Sequence, residues 1–237
     1  CNQCKIQNTQ ARKRKEDPQE NEPKPQYFAQ QVTADHMILS KDEKSKHGDT
    51  VALVIQDRGT HWLMSYGCPS KSSDDTKESF LKYFGPAVVP SHVYTDNAPE
   101  FNACMKELGW SHDTATPHRP QTNGIGERAV RRVKEGTRCA LVQSGLSIKW
   151  WREAMLCFCF LFNITDVQLN GTTPFQQRFR LPFWGLIYPF GCEVHYKPTT
   201  PADVERLKTF GTKTLSGIFL GYATSAGGQL EWRLLHT

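Results

Sequence analysis

Asp96 and Glu127 are carboxylates whose settings suit chemistry on a phosphodiester. Asp96 follows the short apolar run Val88-Val89-Pro90-Ser91-His92-Val93-Tyr94, so it reads as a carboxylate at the tip of a buried strand. Glu127 opens a helix behind a loop carrying Pro120, Asn123 and Gly124. Hard divalent cations take oxygen ligands, and carboxylates drawn from separate elements can share them. On the predicted helix, Glu127, Arg131, Lys134 and Arg138 fall on one face. Residues 119 to 138 hold six Lys/Arg (119, 128, 131, 132, 134, 138) against two Glu (127, 135), a local excess of +4. Such a face suits a nucleic-acid backbone, which is held mainly by cationic side chains. Taken alone, the helix reads equally well as a solvated basic face.

The pairing of Thr95-Asp96-Asn97-x-x-Glu100-Phe101 with Pro120-Gln121-x-Asn123-Gly124-x-x-Glu127-Arg128 resembles the catalytic core of retroviral-type integrases, closest to those of copia-type retrotransposons. The resemblance implies a ribonuclease-H-like fold in which two Asp and one Glu bind two divalent metals. Asp96 matches the second Asp and Glu127 the Glu. The first carboxylate is sought among Asp35, Asp42, Asp49 and Asp57. Asp42 and Asp49 lie in a charged turn, read as mobile and poor at preorganising a metal. Asp57 ends the second predicted strand and matches the family's non-catalytic Asp, whereas Asp35 lies on the first strand, as the family's first Asp does. The expected catalytic and metal-binding set is therefore Asp35, Asp96 and Glu127.

The implied mechanism is metal-assisted transfer, with Mg²⁺ or Mn²⁺ activating a water or DNA 3′-hydroxyl and stabilising the leaving oxygen, the two ions about 3.5–4 Å apart. The resemblance places Gln121, Arg131 and Lys134 where the family contacts viral DNA ends. Asn97, Gln121 and Asn123 are candidate polar contacts, or ordinary turn residues. Arg128 and Arg138 complete the expected DNA-binding set, and His118 offers a loop imidazole. The implied activity is integration of element DNA into host DNA, with the element ends and target DNA as partners, a homo-oligomeric assembly and a nuclear location. Two alternatives stay open: a nuclease that cuts without joining, and an inactive nucleic-acid-binding module.

Several elements must position these residues. A first strand carries Phe28, Val32 and Ala34, with Asp35 at or near its end. The continuous apolar run Val51-Ala52-Leu53-Val54-Ile55 predicts a buried central strand, and His61 to Tyr66 a third, giving an antiparallel meander. Asp74 and Asp75, after two serines, predict the start of a helix that Gly85-Pro86 stops. The strand carrying Asp96, a helix over 100–108, a short strand over 111–115 and a long basic helix over 123–144 follow. A meander followed by alternating helices and strands is a mixed α/β layer fold, the order the resemblance implies. Ile148-Lys149-Trp150-Trp151 leads into a hydrophobic helix over 152–162, to be buried against the core or a partner subunit. Beyond it, the segments at Gly191-Cys192-Glu193-Val194 and 215–222 predict a small β-rich extension.

The expected organisation is a remnant module and basic linker over 1–26, a catalytic core over 27–165 and the extension over 166–237. The 237 residues, 38% apolar and 11% aromatic, suit one core-bearing domain with attachments, and the net charge of +5 permits nucleic-acid binding. No apolar run is long enough to span a membrane, and no signal-peptide pattern opens the chain. The eight cysteines are scattered through apolar stretches, which points to buried thiols in a reducing compartment. Cys1-x-x-Cys4 resembles the second half of an N-terminal zinc module whose histidines would precede residue 1, so zinc is expected only in a longer chain. The polar stretch over 8–26, with Arg12-Lys13-Arg14-Lys15, reads as a linker that could also touch phosphates or serve as an import signal.

Overall fold

The structure, a computed structural model, describes residues 24–114, 124–198, 200–207, 209–224 and 230–236. Cys1, Cys4, most of the basic linker, His118, Gln121 and Asn123 lie outside the described residues. Strands β1 (Val32–Ile38), β2 (Val51–Asp57) and β3 (Leu63–Cys68) form the expected antiparallel meander. Helix α1 (Ser73–Phe84), β4 (Val93–Thr95), α2 (Pro99–Leu108) and β5 (His112–Thr114) follow. The sheet order is β3-β2-β1-β4-β5, with β4 parallel to both β1 and β5. Two long helices come next, α3 (Gly124–Ser144) and α4 (Trp151–Thr165). The chain ends with α5 (Pro174–Phe179), β6 (Glu193–Tyr196), α6 (Pro201–Glu205), β7 (Leu215–Thr224) and β8 (Leu230–His236), the strands forming a separate antiparallel sheet.

Alternation along the central strands sorts side chains onto two faces. Val32, Ala34, Leu53 and Ile55 pack with Phe80, Tyr83 and Phe84 of α1 and Phe101, Cys104 and Met105 of α2. Met37, Ala52, Val54 and Leu63 pack on the other face against Ala129 and Val133 of α3 and Trp151, Met155 and Cys159 of α4. The sheet is therefore buried on both sides, which is why β2 reads as an unbroken apolar run.

Three local expectations change. β1 runs to Ile38, so Asp35 stands mid-strand rather than at the end; Met37, buried against the α3 side, continues the pleat beyond it. Hydrogen-bonded pairing reduces the strand before Asp96 to Val93–Thr95. The α1 cap is the Ser72 hydroxyl, which accepts from the Asp75 amide at 3.1 Å, while the Asp75 carboxylate folds back onto Ser70.

Helix α4 is buried on both faces within the one chain. Trp151, Met155 and Cys159 face the main sheet, while Ala154 and Cys157 face Phe190, Val194, Phe219 and Tyr222 of the C-terminal sheet. The six described cysteines are free; Cys68, Cys104, Cys157 and Cys159 are buried, where burial pushes the Cys157 thiol up to about 12, while Cys192 is half-buried and Cys139 is exposed. Near the end of α4, the fully buried Asn163 amide accepts from the Leu63 N–H at 2.9 Å and donates to the Leu63 carbonyl at 2.7 Å. This pins the edge strand β3 to the helix. Asn163→Ala leaves a buried donor and acceptor unpaired, and we expect a loss of about 3 kcal/mol, read as a lower denaturant midpoint at unchanged slope.

Candidate active site

The β1–β4 register positions the first two carboxylates. Val32 lies beside Val93 and Thr33 beside Tyr94, and continuing that parallel register sets Asp96 level with Asp35. Adjacent strands lie about 4.8 Å apart. The pleat turns Asp35 to the face covered by α3, since it lies opposite Val54, which packs against that helix; Asp96 directly follows the last residue of β4. Asp96 Oδ1 is buried and accepts no hydrogen bond, an unusual state for a carboxylate oxygen and one that suits a cation ligand.

The rival aspartates are engaged elsewhere. The fully buried Asp57 accepts from the Ala29 amide at 2.8 Å and from the Thr60 amide and hydroxyl, each at 2.7 Å. Asp49 is not on a mobile turn as expected. It is buried, accepting from the Ser45 hydroxyl at 2.6 Å and pairing with Arg152 at 3.1 Å, so α4 fixes the turn. Asp42 lies in a short 3-10 turn over Lys41–Glu43.

Glu127 stands exposed on the first turn of α3, where the helix dipole favours an acidic residue. That helix packs across β1 and β2 through Gly126, Ala129, Val133 and Thr137. Among the described residues, no three His, Cys, Asp or Glu side chains are gathered closely enough to hold an ion. The strand register sets two of the predicted trio level, and the third is carried by the helix packed over β1. The residues fit a divalent cation in the chemistry of their donors, all carboxylate oxygens, one of them buried and unpartnered on Asp96, but among the described residues they are not drawn together into one cluster.

The α3 cations of the expected DNA-binding set fall on two flanks of the helix. Lys134 and Arg138 flank a groove with Met37, Ile38 and Trp151, and Arg131 is exposed. Arg128 lies on the opposite flank, together with Arg132, which was absent from the expected DNA-binding set. Asn97 is exposed, and its carbonyl accepts from the Asn102 amide at 3.0 Å.

The remaining motif residues have positioning work that the spacing did not reveal. Phe101 is fully buried and stacks on His36 with ring centroids 4.5 Å apart. Glu100 pairs with Lys71 at 2.6 Å and lies 3.8 Å from His36 Nδ1, and His36 Nε2 meets the Thr76 hydroxyl at 3.3 Å. Thus the residue after Asp35 ties β1 to α1 and to the start of α2. Burial first, and the Lys71 charge second, outweigh Glu100 and depress the His36 imidazole to about 4. The unfolded chain binds this proton near 6.5. Stability is therefore full above that pH and is lost on acidification from 6.5 towards 4, by up to roughly 3 kcal/mol. His36→Phe should flatten this limb in unfolding titrations across the window.

No family model matches the chain. It is 27% identical over 190 residues to the retrovirus-related Pol polyprotein from transposon RE1 of Arabidopsis thaliana, covering 75% of this chain and 12% of the relative. It is also 27% identical over 135 residues to the corresponding polyprotein from transposon TNT 1-94 of Nicotiana tabacum, covering 56% of this chain and 10% of that one. Its homologues are transposon Pol polyproteins. The chain spans about an eighth of the length of the first such polyprotein, so the Pol relationship concerns one segment of it.

Among solved structures, the HTLV-2 integrase catalytic core domain in complex with magnesium, a trimeric form, matches with a TM-score of 0.50 at 19% identity, covering 65% of this chain and 99% of that one. A chain of the simian T-cell lymphotropic virus intasome in complex with PP2A regulatory subunit B56 gamma matches with a TM-score of 0.54 at 17% identity, covering 91% and 81%. The Pol-related chain therefore has the ribonuclease-H-like fold of integrase catalytic cores. Among the described residues, no helix is long and apolar enough to cross a membrane.

Proposed function

We propose that the chain is the catalytic core of a copia-type retrotransposon integrase, cutting and joining phosphodiesters as element DNA enters host DNA. The level placement of Asp35 and Asp96, with a buried Asp96 oxygen lacking a partner, carries this reading. The homologous Pol polyproteins and the magnesium-bound integrase core of the same fold support it. Asp35 and Asp96 would hold divalent cations from the sheet, with Glu127 supplying the third carboxylate from α3. The ions, Mg²⁺ or Mn²⁺, supply Lewis-acid activation of the attacking hydroxyl and neutralise the leaving oxygen.

The chain's own residues arrange the substrate. Strand β1 fixes Asp35 and the end of β4 places Asp96, so little reorganisation is needed when charge develops. Arg131, Lys134 and Arg138 offer cations along one flank of α3 for the DNA backbone, and Asn97 stands beside Asp96. The organisation proposed is a core over 27–165, a linker and partial zinc module before it, and an extension after it. A homo-oligomer acting in the nucleus is part of the same proposal. The test uses a labelled duplex end with Mg²⁺ or Mn²⁺: cleaved and joined products support the proposal. Hydrolysis alone would leave a nuclease, and the joining step would be lost.

A further inference from the structure

The flank of α3 away from Lys134 and Arg138 lines a cavity of about 300 Å³ with Arg128 and Arg132, and Arg58 joins them in its wall. Phe162 and Asp166 of the α4 end and His61 of the β2–β3 turn also line it, with Gln56, Ile125 and Gln168. Three guanidiniums against one carboxylate give the lining Arg and Asp side chains a formal balance of +2 (3 − 1). Asp166 is turned into its own loop: its backbone N–H closes the end of α4, and its carboxylate accepts from the Gln168 amide. Two of the three cations, Arg132 and Arg58, are held in place. Arg132 lies over the Phe162 ring, 5.0 Å from its centroid. Arg58 Nε donates to Thr33 Oγ1 at 2.7 Å, and its guanidinium lies 5.1 Å from the Tyr94 ring. Planar guanidiniums fixed in this way suit bidentate binding of a phosphate, because less side-chain entropy is lost on binding.

The cavity's place matters as much as its charge. Thr33 and Tyr94, which hold Arg58, each precede one of the two aspartates by two residues. Two residues of strand span roughly 6.6 Å, comparable with the spacing between neighbouring phosphates along a strand. We propose that the Arg58–Arg128–Arg132 cavity is a phosphate-binding site that takes a backbone phosphate of the nucleic-acid strand adjoining the one held at Asp35 and Asp96. The identity of the ligand rests on the integrase reading above; the phosphate chemistry of the cavity does not.

The test is metal-free binding of the full chain to a fluorescent duplex, followed by anisotropy across a salt series. Arg132→Gln should weaken binding about 10-fold near 0.1 M salt and reduce the slope of log K against log salt by about one. Arg128→Gln serves as a second, independent variant, and equal melting temperatures exclude unfolding. Arg132→Lys should restore the slope but not the full affinity, since a lysine cannot bind bidentately. A single neutral methylphosphonate walked along the strand should reproduce the Arg132→Gln loss at one position only, where the two losses do not add. An unchanged slope in both Gln variants, or additive losses at every position, overturns the proposal. Tripolyphosphate provides the remaining arm: if it binds in an Arg132-dependent way while duplex binding ignores Arg132, the site serves a free phosphate compound and the strand assignment is overturned. Since no divalent ion is present, absence of cutting and joining by the wild type defeats the integrase reading without altering this measurement.

Discussion

Asp96→Asn lowers metal-dependent cleavage and joining by at least about 10³-fold, equivalent to roughly 4 kcal/mol of transition-state stabilisation. The substitution keeps the shape of the side chain while removing the charge that draws in the cation. The fold should be untouched. Asp96 Oδ1 is buried without a hydrogen-bond partner, so neutralising the group relieves a burial penalty instead of breaking a contact. The melting temperature should therefore stay level or rise slightly while activity disappears. The measurement is the yield of cut and joined labelled duplex in Mn²⁺, the more permissive ion for a damaged oxygen site, with thermal melting run on the same samples. A variant that retains cutting within a few-fold of wild type would remove Asp96 from the site. Asp57→Asn offers the contrast: Asp57 is satisfied by Ala29 and Thr60, so its loss is felt in stability rather than in chemistry.

Arg178→Ala costs about 4 kcal/mol of stability, the largest structural effect of any substitution considered. Arg178, on α5, places its guanidinium 3.9 Å from the Phe28 ring centroid, 4.7 Å from Trp62 and 5.1 Å from Phe179. It also donates to the Tyr83 carbonyl at 3.3 Å. Burial lowers its pKa from the ordinary arginine value, while Tyr83, Tyr66 and Asp57 favour the charged form. Truncation removes several cation–π contacts and leaves a void among aromatic rings. Arg178→Lys keeps the charge but not the planar stacking surface, so it should recover only part of the loss. Chemical denaturation of the three proteins provides the check. An Ala variant within 1 kcal/mol of wild type would show that the aromatic ring set closes without its cation. The position also has a topological role. Arg178 lies past α4 in sequence, yet it packs on Phe28 before β1 and binds the Tyr83 carbonyl of α1, so it fastens α5 to the α1 side of the main sheet.

The residue sequence by itself determined the local elements and offered the candidate carriers of the proposed chemistry. The motifs around Asp96 and Glu127, the basic helix after them and the meander before them are local patterns of period two or 3.6, and such patterns are set by neighbours in the chain. The burial of α4 was also legible from its apolar length, but its occupant was not. A helix that is apolar all round shows only that both sides must be covered, and here the main sheet takes one side and the C-terminal sheet the other. Tertiary structure alone showed how two of the four candidate aspartates are engaged. Asp49 and Asp57 are charged residues at turns, and only the folding of Arg152, Ala29 and Thr60 around them shows that they are structural. It also set Asp35 level with Asp96, because pairing between β1 and β4 joins residues some sixty positions apart and no local periodicity encodes that offset. The pairing of Arg58 with Arg128 and Arg132 has the same origin. Arg128 and Arg132 are four apart and share a helix flank, a signal present in the chain, but the third cation comes from a strand end that only the folded sheet carries beneath them.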